Sequence, residues 1–342
     1  MPTRLNKALH SVTREGGMQK IGDEDRANKD FDFWVEFDKM PDRYKNLELA
    51  KAQFETFSFI NGDGFQYLKK QLEDAAPQSR DDCMLASDAD IVIFDMDYRD
   101  VLKELALNYP DERICVHNPA SRFQAFGAWV GGARAMEEQI ARASDLVNYH
   151  KAGRYSEESI DQALYMSDVF FWRDSAENNY DFLIKLSEDK SKYDLLPGFV
   201  IADVATAPSM DMRPDASKPE WQDKETRLEE IRIRFECYVV KPAIERGVQH
   251  LIFSGAGCGA YRCDADEVAG VYAEVLKKYR RKFKTITGAL YGGGLAKKFQ
   301  KVFDTFFPEE SVSIGDVLAS GILRPAISPN ESKPKKSRGP VI

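Results

Sequence analysis

RICVHNPASRFQAFGAWVGGARAMEEQIARASDL, residues Arg113 to Leu146, decides the fold. A short apolar strand, Ile114 to Val116, ends at the breaker pair Asn118-Pro119. A loop holding Gly127, Gly131 and Gly132 follows, then a helix expected over Ala133 to Tyr149 that carries adjacent carboxylates, Glu137 and Glu138. Strand, glycine loop and helix is how proteins hold a phosphate against backbone N–H groups. Neighbouring helical residues point about 100° apart, but near a helix's amino end both can border one ligand. Carboxylates beyond such a loop therefore point to chemistry beside a phosphate-bearing ligand. Leu251 to Leu276, LIFSGAGCGAYRCDADEVAGVYAEVL, repeats the plan. Its glycines Gly255, Gly257 and Gly259 alternate between a strand and a helix, and Tyr261 follows as a stacking candidate.

Together the two stretches resemble the microbial-type poly(ADP-ribose) glycohydrolases, a divergent branch of the macrodomain fold. Asn118, Pro119, Ala120 and Ser121 match that family's Asn-Phe-Ala-Ser/Asn at three positions of four. Gly132, Ala133, Arg134, Ala135, Glu137 and Glu138 match Gly-Ala-Arg-Ala-Gln-Glu-Glu, with Met136 in place of the glutamine. Gly255 to Tyr261 resembles Gly-Ala-x-Gly-Cys-Gly-x-Phe, one position shorter and with Gly257 at the variable position, and VIADVATAPSMD (Val200 to Asp211) resembles the family strand ending in Ala-Ala-Pro. The family's Pro-Gly-Gly-Gly is replaced by Ala125, Phe126, Gly127 and Ala128, whose side chains restrict φ and close approach to a diphosphate.

The resemblance implies an α/β macrodomain-like fold that binds ADP-ribose and cleaves an ADP-ribosyl O-glycosidic bond. Glu138 is then the general acid and base, and Glu137 holds ribose hydroxyls, with the reverse assignment as the alternative. Asn118, Gly127, Gly131, Gly132, Gly255, Gly257, Cys258, Gly259 and Tyr261 are the expected ligand-binding residues. Neither a metal nor an organic cofactor is expected. The partners are ADP-ribose or ADP-ribosylated protein.

Outward from these stretches, βα units alternate. Strands are expected at Asp90–Phe94, Val169–Trp172, Phe199–Val204, His250–Ser254 and Thr285–Leu290. Helices are expected at Tyr98–Leu107, Leu228–Arg246, Asp266–Tyr279 and Leu295–Phe306. Alternation of this kind means a mostly parallel sheet with helices on both faces and a ligand beyond the strands' carboxyl ends. Asn118, Ala207-Pro208, Gly255–Tyr261 and Gly292–Gly294 all fall at such ends. Pro208 to Glu225 is polar and is expected to form a flexible flap. Residues 1–80 read as a partly helical extension, with a polar, poorly ordered start, an aromatic-rich run including Phe31, Phe33, Trp34 and Tyr44, and a helix over Arg43–Phe57. Residues 81–324 form the ADP-ribose-binding catalytic domain, and 325–342, containing Lys333–Arg338, a disordered tail.

The 342 residues suffice for one large α/β domain with an extension, and the net charge of −8 argues against direct nucleic-acid binding. No apolar run has membrane-spanning length and no secretory core opens the chain, so a cytoplasmic protein, with a nuclear address as alternative, is expected. Five cysteines, an odd number, read as reduced thiols, and Cys258, Cys263 and His250 make a poor zinc set. Two other functions stand beside the glycohydrolase. Met136 and the missing glycines favour a non-catalytic ADP-ribose reader. VIFDMD, with Asp95 and Asp97, resembles the first motif of haloacid-dehalogenase-type phosphatases, which would make Asp95 a nucleophile using magnesium. No later partner motif accompanies it. His117 is a candidate base, without a nucleophile pattern beside it. His10 and His150 look incidental.

Overall fold

The computed structural model describes residues 37–40, 45–60, 63–72, 88–122, 126–149, 164–188, 192–292 and 294–308. The start of the chain, Phe31, Phe33, Trp34, Tyr44, Cys83, Ala125, His10, His150, Gly293 and the tail with Lys333–Arg338 lie outside the described residues.

A six-stranded sheet has the order β1-β8-β7-β2-β6-β3. Its strands are β1 (Asp90–Phe94), β2 (Ile114–Ala120), β3 (Leu164–Phe171), β6 (Val200–Pro208), β7 (His250–Phe253) and β8 (Thr285–Ala289). All pairs are parallel except the edge strand β3, which runs antiparallel to β6 with a bulge between Met166 and Val169. A hairpin of β4 (Ile184–Leu186) and β5 (Tyr193–Leu195), which the sequence reading did not anticipate, stands apart.

Helices cover both faces. On one lie α3 (Tyr98–Asn108) and α4 (Met136–Ala143), packed through Val101, Leu102, Leu105 and Ile140. On the other lie α5 (Lys224–Arg232), α6 (Lys241–Glu245), α7 (Ala265–Tyr279) and α8 (Leu295–Phe306). There Phe235 stacks on Tyr272 with ring centroids 3.6 Å apart. The helix expected over Leu228–Arg246 is one rod from α5 to α6, with a π-helical stretch, Ile233–Val240, at its centre. Every residue of that stretch is buried.

Two expectations around the decisive stretch need correction. Strand β2 does not break at Asn118-Pro119 but pairs with β6 through Asn118↔Thr206, Pro119↔Ala207 and Ala120↔Pro208. Its other neighbour, β7, pairs only as far as Val116. Proline is tolerated where one side of a strand needs no donor. The helix expected over Ala133–Tyr149 is also shorter. It ends at Ala143, where Ser144 bridges to Phe171 and Asp145 exchanges backbone and side-chain bonds with Phe170.

The N-terminal helices are α1 (Leu47–Ile60) and α2 (Asp63–Leu72). A helix leaves its last four carbonyls without internal partners, and in α4 all four are met. Ile140 O accepts from Ser144 Oγ (2.7 Å) and Ala143 O from Trp172 N (3.1 Å). The other two belong to α1: Gln53 Nε2 donates to Ala141 O (3.2 Å) and Thr56 Oγ1 to Arg142 O (2.8 Å). Both side chains are fully buried. α2 packs Phe65, Leu68 and Leu72 against Trp172 and Phe170.

Pro208 to Glu225 is anchored, in contrast to the expected flexible flap. Trp221 is 1% exposed, with the Arg122 guanidinium 5.0 Å from its ring centroid, and Asp211, fully buried, pairs with Arg213. Cation–π contacts and an ion pair to the buried Asp211 carboxylate hold an otherwise polar excursion in place.

Candidate active site

Strand alternation sorts the residues after Val116. Ile114, Val116 and Ala120 face the α3–α4 side, so Asn118 faces it too. His117 faces the other way, into the aromatic nest of Phe235 and Tyr272. Burial there depresses its pKa to about 3, so it is a neutral core residue and not a site base. Asn118 Nδ2 donates to Thr206 Oγ1 (3.1 Å), while its Oδ1 is buried without a hydrogen-bond partner.

Glu137 and Glu138 sit in the first turn of α4, where carboxylates complement the helix dipole. Both are buried, 3% and 6% exposed. The β2–α4 loop wraps around them and presents its N–H groups. Glu137 Oε2 accepts from Ser121 N (2.6 Å) and Oε1 from Phe126 N (2.7 Å). Glu138 Oε1 accepts from Ala128 N (3.0 Å), and its Oε2 is buried without a partner. Burial, only partly opposed by the Ala128 N–H and by Arg142 one turn on, raises the Glu138 pKa above the ordinary carboxylate value. A carboxyl in that state keeps its proton at higher pH and has one oxygen free to use it.

The loop needs an unusual backbone to do this. Gly127 has φ +51°, and a Cβ there would collide with Glu138 Oε1. Phe126 has φ +62°, a left-handed conformation for a non-glycine residue. The cost is roughly 1–2 kcal/mol, and full burial of the ring against Trp129 outweighs it, since such a ring is worth about 3–5 kcal/mol. The side chain at position 126 thus keeps the glycine conformation.

The first loop was expected to cradle a phosphate, but among its described residues most N–H groups are occupied, that of Gly127 excepted. Those of Ser121, Phe126 and Ala128 bond the two carboxylates, and those of Trp129, Gly131 and Gly132 close turns within the loop. Gly131 and Gly132 instead dock α1: Asn46 N donates to Gly131 O (2.7 Å), and a Cβ on Gly132 would meet Asn46 O at 2.5 Å. The second loop differs. Among the described residues, the N–H groups of Gly257 and Gly259 have no partner. Gly257 (φ +74°) turns its Cα toward Cys263 Sγ and Met210 O, while a Cβ at Gly259 would meet open space. Gly255 packs beneath Leu295. Cys258 is half-buried, and burial pushes its thiol up, which disfavours the thiolate.

Tyr261 of the second loop has the Ser121 side chain and the two carboxylates of α4 near its hydroxyl. Burial first, and then the nearby Glu137 and Glu138 charges, push the phenol up to about 12. The sequence reading missed Ser121 as a functional residue, although it lies in the quoted motif. It also missed the donors of Phe126 and Ala128, which are backbone groups and leave no side-chain signature.

Asp95 and Asp97 have structural partners. Asp97 caps α3 by accepting from Arg99 N (2.8 Å), and Asp95 Oδ1 accepts from Gly292 N (2.9 Å). Among the described residues no group of three His, Cys, Asp or Glu side chains is poised for a metal. An open depression lined by Lys277, Arg281, Lys282 and Phe306 lies away from the carboxylates. No described helix is long and apolar enough to cross a membrane.

Comparison with known proteins bears out the resemblance. Residues 50–174 match the family model of the microbial-type PARG catalytic domain. The fold is similar to that of poly(ADP-ribose) glycohydrolase from Thermomonospora curvata, with a TM-score of 0.55, 17% identity, and coverage of 77% of this chain and 100% of that one. It is similar also to the Deinococcus radiodurans poly(ADP-ribose) glycohydrolase in complex with ADP-ribose, with a TM-score of 0.50, 20% identity, and coverage of 70% and 91%. At these identities the shared property is the fold. No curated protein sequence matches the chain.

Proposed function

We propose that this protein is an ADP-ribosyl glycohydrolase that binds ADP-ribose across the carboxyl ends of β2, β6 and β7 and hydrolyses the O-glycosidic bond at its ribose. The observation that carries the reading is the unequal state of two adjacent buried carboxyls. Glu137 is held by two N–H bonds, as suits a fixed acceptor for ribose hydroxyls. Glu138 has a raised pKa and one unpartnered oxygen, as suits an acid. Protonated Glu138 donates its proton to the leaving oxygen as the bond to the anomeric carbon breaks. The ribose passes through an oxocarbenium-like state. The Glu138 carboxylate then takes a proton from the attacking water and returns to its starting form, so one water is consumed per bond cleaved. The diphosphate rests on the free N–H groups of Gly257 and Gly259 and needs no metal. The substrate is ADP-ribosylated protein, either mono-ADP-ribosyl or polymer.

The reader alternative rests on Met136 and the substituted glycines, of which Phe126 still takes a left-handed backbone and Ala128 does not. The deciding assay is ADP-ribose release from O-linked substrate by wild type, Glu137→Gln and Glu138→Gln. Glu138→Gln should lose about a hundredfold to ten-thousandfold in rate while its ADP-ribose affinity changes little. Binding without release by wild type would establish the reader instead.

A further inference from the structure

Residues Lys277 to Lys284 read KKYRRKFK, six cations in eight positions of a chain whose net charge is −8. They span the end of α7 and the 3-10 turn Arg280–Lys282 that leads into β8. Cations complement the negative carboxyl end of a helix, which accounts for Lys277 and Lys278 in the last turn of α7 but not for the four beyond it. Nor do carboxylates absorb the charge. Asp88 pairs with both Arg280 and Arg281, Glu236 with Lys278 and Glu112 with Lys284, so three carboxylates serve four of the cations. The side chains of Lys278 and Arg281 remain 62% and 61% exposed. The run borders the open depression, whose volume of about 640 Å³ suits a nucleotide-sized group. Aromatic rings stand among the charges there. Arg280 lies 5.1 Å from the ring centroid of Phe307 and Lys278 lies 4.9 Å from that of Tyr279, with Phe306 completing the wall. Asp88 and the Arg280–Lys282 turn precede the paired starts of β1 and β8. The depression is therefore at the amino ends of the parallel strands, opposite the end that carries Glu137 and Glu138.

We infer that this face binds the distal repeats of a poly(ADP-ribose) chain whose terminal unit occupies the carboxylate site. The inference rests on the glycohydrolase reading and selects polymer over mono-ADP-ribosylated protein as the preferred substrate. Every repeat of that polymer carries a diphosphate for the cations and an adenine for the rings, and cations interleaved with aromatic side chains are how proteins track a flexible strand of phosphates and bases. Strand β2, seven residues long, spans roughly 23 Å between the two ends of the sheet. A single ADP-ribosyl group cannot engage both ends, whereas a polymer can run around the molecule from one to the other. Contacts of exposed cations with phosphates release counterions, so the binding is expected to weaken steeply with salt.

The test compares wild type with a triple variant, Lys277→Ala, Arg281→Ala and Lys282→Ala. Affinity for poly(ADP-ribose) of defined length is measured by filter binding at two salt concentrations, and affinity for ADP-ribose by calorimetry. Release of ADP-ribose is followed from polymer and from a mono-ADP-ribosylated protein, with kcat and KM separated. The triple variant should bind polymer about tenfold or more weakly, with a shallower salt dependence, and its KM for polymer should rise while kcat holds. Its affinity for ADP-ribose and its turnover of the mono-ADP-ribosylated protein should match wild type. If the triple variant fails to fold, Lys277→Glu alone decides the matter, because Lys277 is exposed and its reversed charge should still weaken polymer binding severalfold. Unchanged polymer affinity, or an equal loss for ADP-ribose itself, would overturn the inference and leave the glycohydrolase reading intact. Wild type binding single-stranded RNA of equal charge as tightly as polymer would also overturn it, since the face would then serve nucleic acid. A wild type that releases no ADP-ribose from either substrate overturns the glycohydrolase reading, and this inference with it.

Discussion

Glu138 has one carboxylate oxygen on the Ala128 N–H and one that meets nothing, and Gly127 is what makes room for the first. A Cβ at Gly127 would push directly on Glu138 Oε1. Gly127→Ala should therefore reduce ADP-ribose release by tenfold or more, approaching the loss in Glu138→Gln, while Glu137 stays held by Ser121 and Phe126. The check is steady-state kinetics beside a thermal melt, and near-wild-type turnover would show that the carboxylate is not confined by the loop. Gly257 and Gly259 separate in the same way. A side chain at Gly257 would strain φ and strike Cys263, so loss of binding there would report damage to the loop. Gly259 has open space, so Gly259→Val should weaken ADP-ribose binding in calorimetry with an unchanged melting temperature. The sequence pattern put both carboxylates, Asn118 and the second glycine loop near the carboxyl ends of the strands, which is where the structure has them. The roles within the first loop were not, because Ser121, Phe126 and Ala128 act through N–H groups that every non-proline residue carries. His117, weighed as a base beside Asn118, is turned from the site because one step along a strand reverses the face.

Helix α4 is eight residues long, too short to be stable alone, and it carries both carboxylates. Its carboxyl end is completed by other parts of the chain, two of the four carbonyls by α1. Thr56→Val keeps the shape of a buried side chain but leaves Arg142 O without its donor. Such an orphan costs about 1–3 kcal/mol, so Thr56→Val should lower the unfolding free energy by that amount in urea titrations. A neutral result would mean that the α1–α4 junction opens to water. The sequence reading placed most strands and helices within a few residues but misjudged where β2 and α4 end. In both cases a tertiary partner decided. Pairing with β6 carries β2 through a proline, and the Ser144–Phe171 bridge with the Asp145–Phe170 bonds stops α4 although its sequence remains helix-compatible.

For the whole molecule, α1 and α2 belong to the same packed body as the sheet, and the match to the family model begins at residue 50, inside α1. At the junction of α2, α4 and β3 sits Asp145, 4% exposed, its carboxylate accepting from Phe170 N (2.8 Å). Burial raises its pKa to about 7 from an ordinary 3.8, opposed first by the Phe170 N–H and then by Lys69. The folded state therefore keeps a proton that the unfolded chain has already lost. This group's contribution is greatest below the ordinary value and declines as pH rises from about 4 to about 7, by at most about 1.4 kcal/mol per pH unit. Asp145→Asn retains an oxygen for Phe170 N and has no proton to lose. Its unfolding free energy should gain on wild type steadily across that interval, and parallel curves from pH 4 to 8 would show that Asp145 is not buried in solution. The grip on Glu137 and Glu138 bears on how such proteins diverge. Main-chain amides hold the carboxylates, so the letters of the β2–α4 loop are free to drift while its curvature persists. A lineage descending from this chain could lose most recognisable characters of that loop, with Gly127 and Gly132 kept for want of room and proline barred at the three donor positions, and still keep the same two acids in the same place.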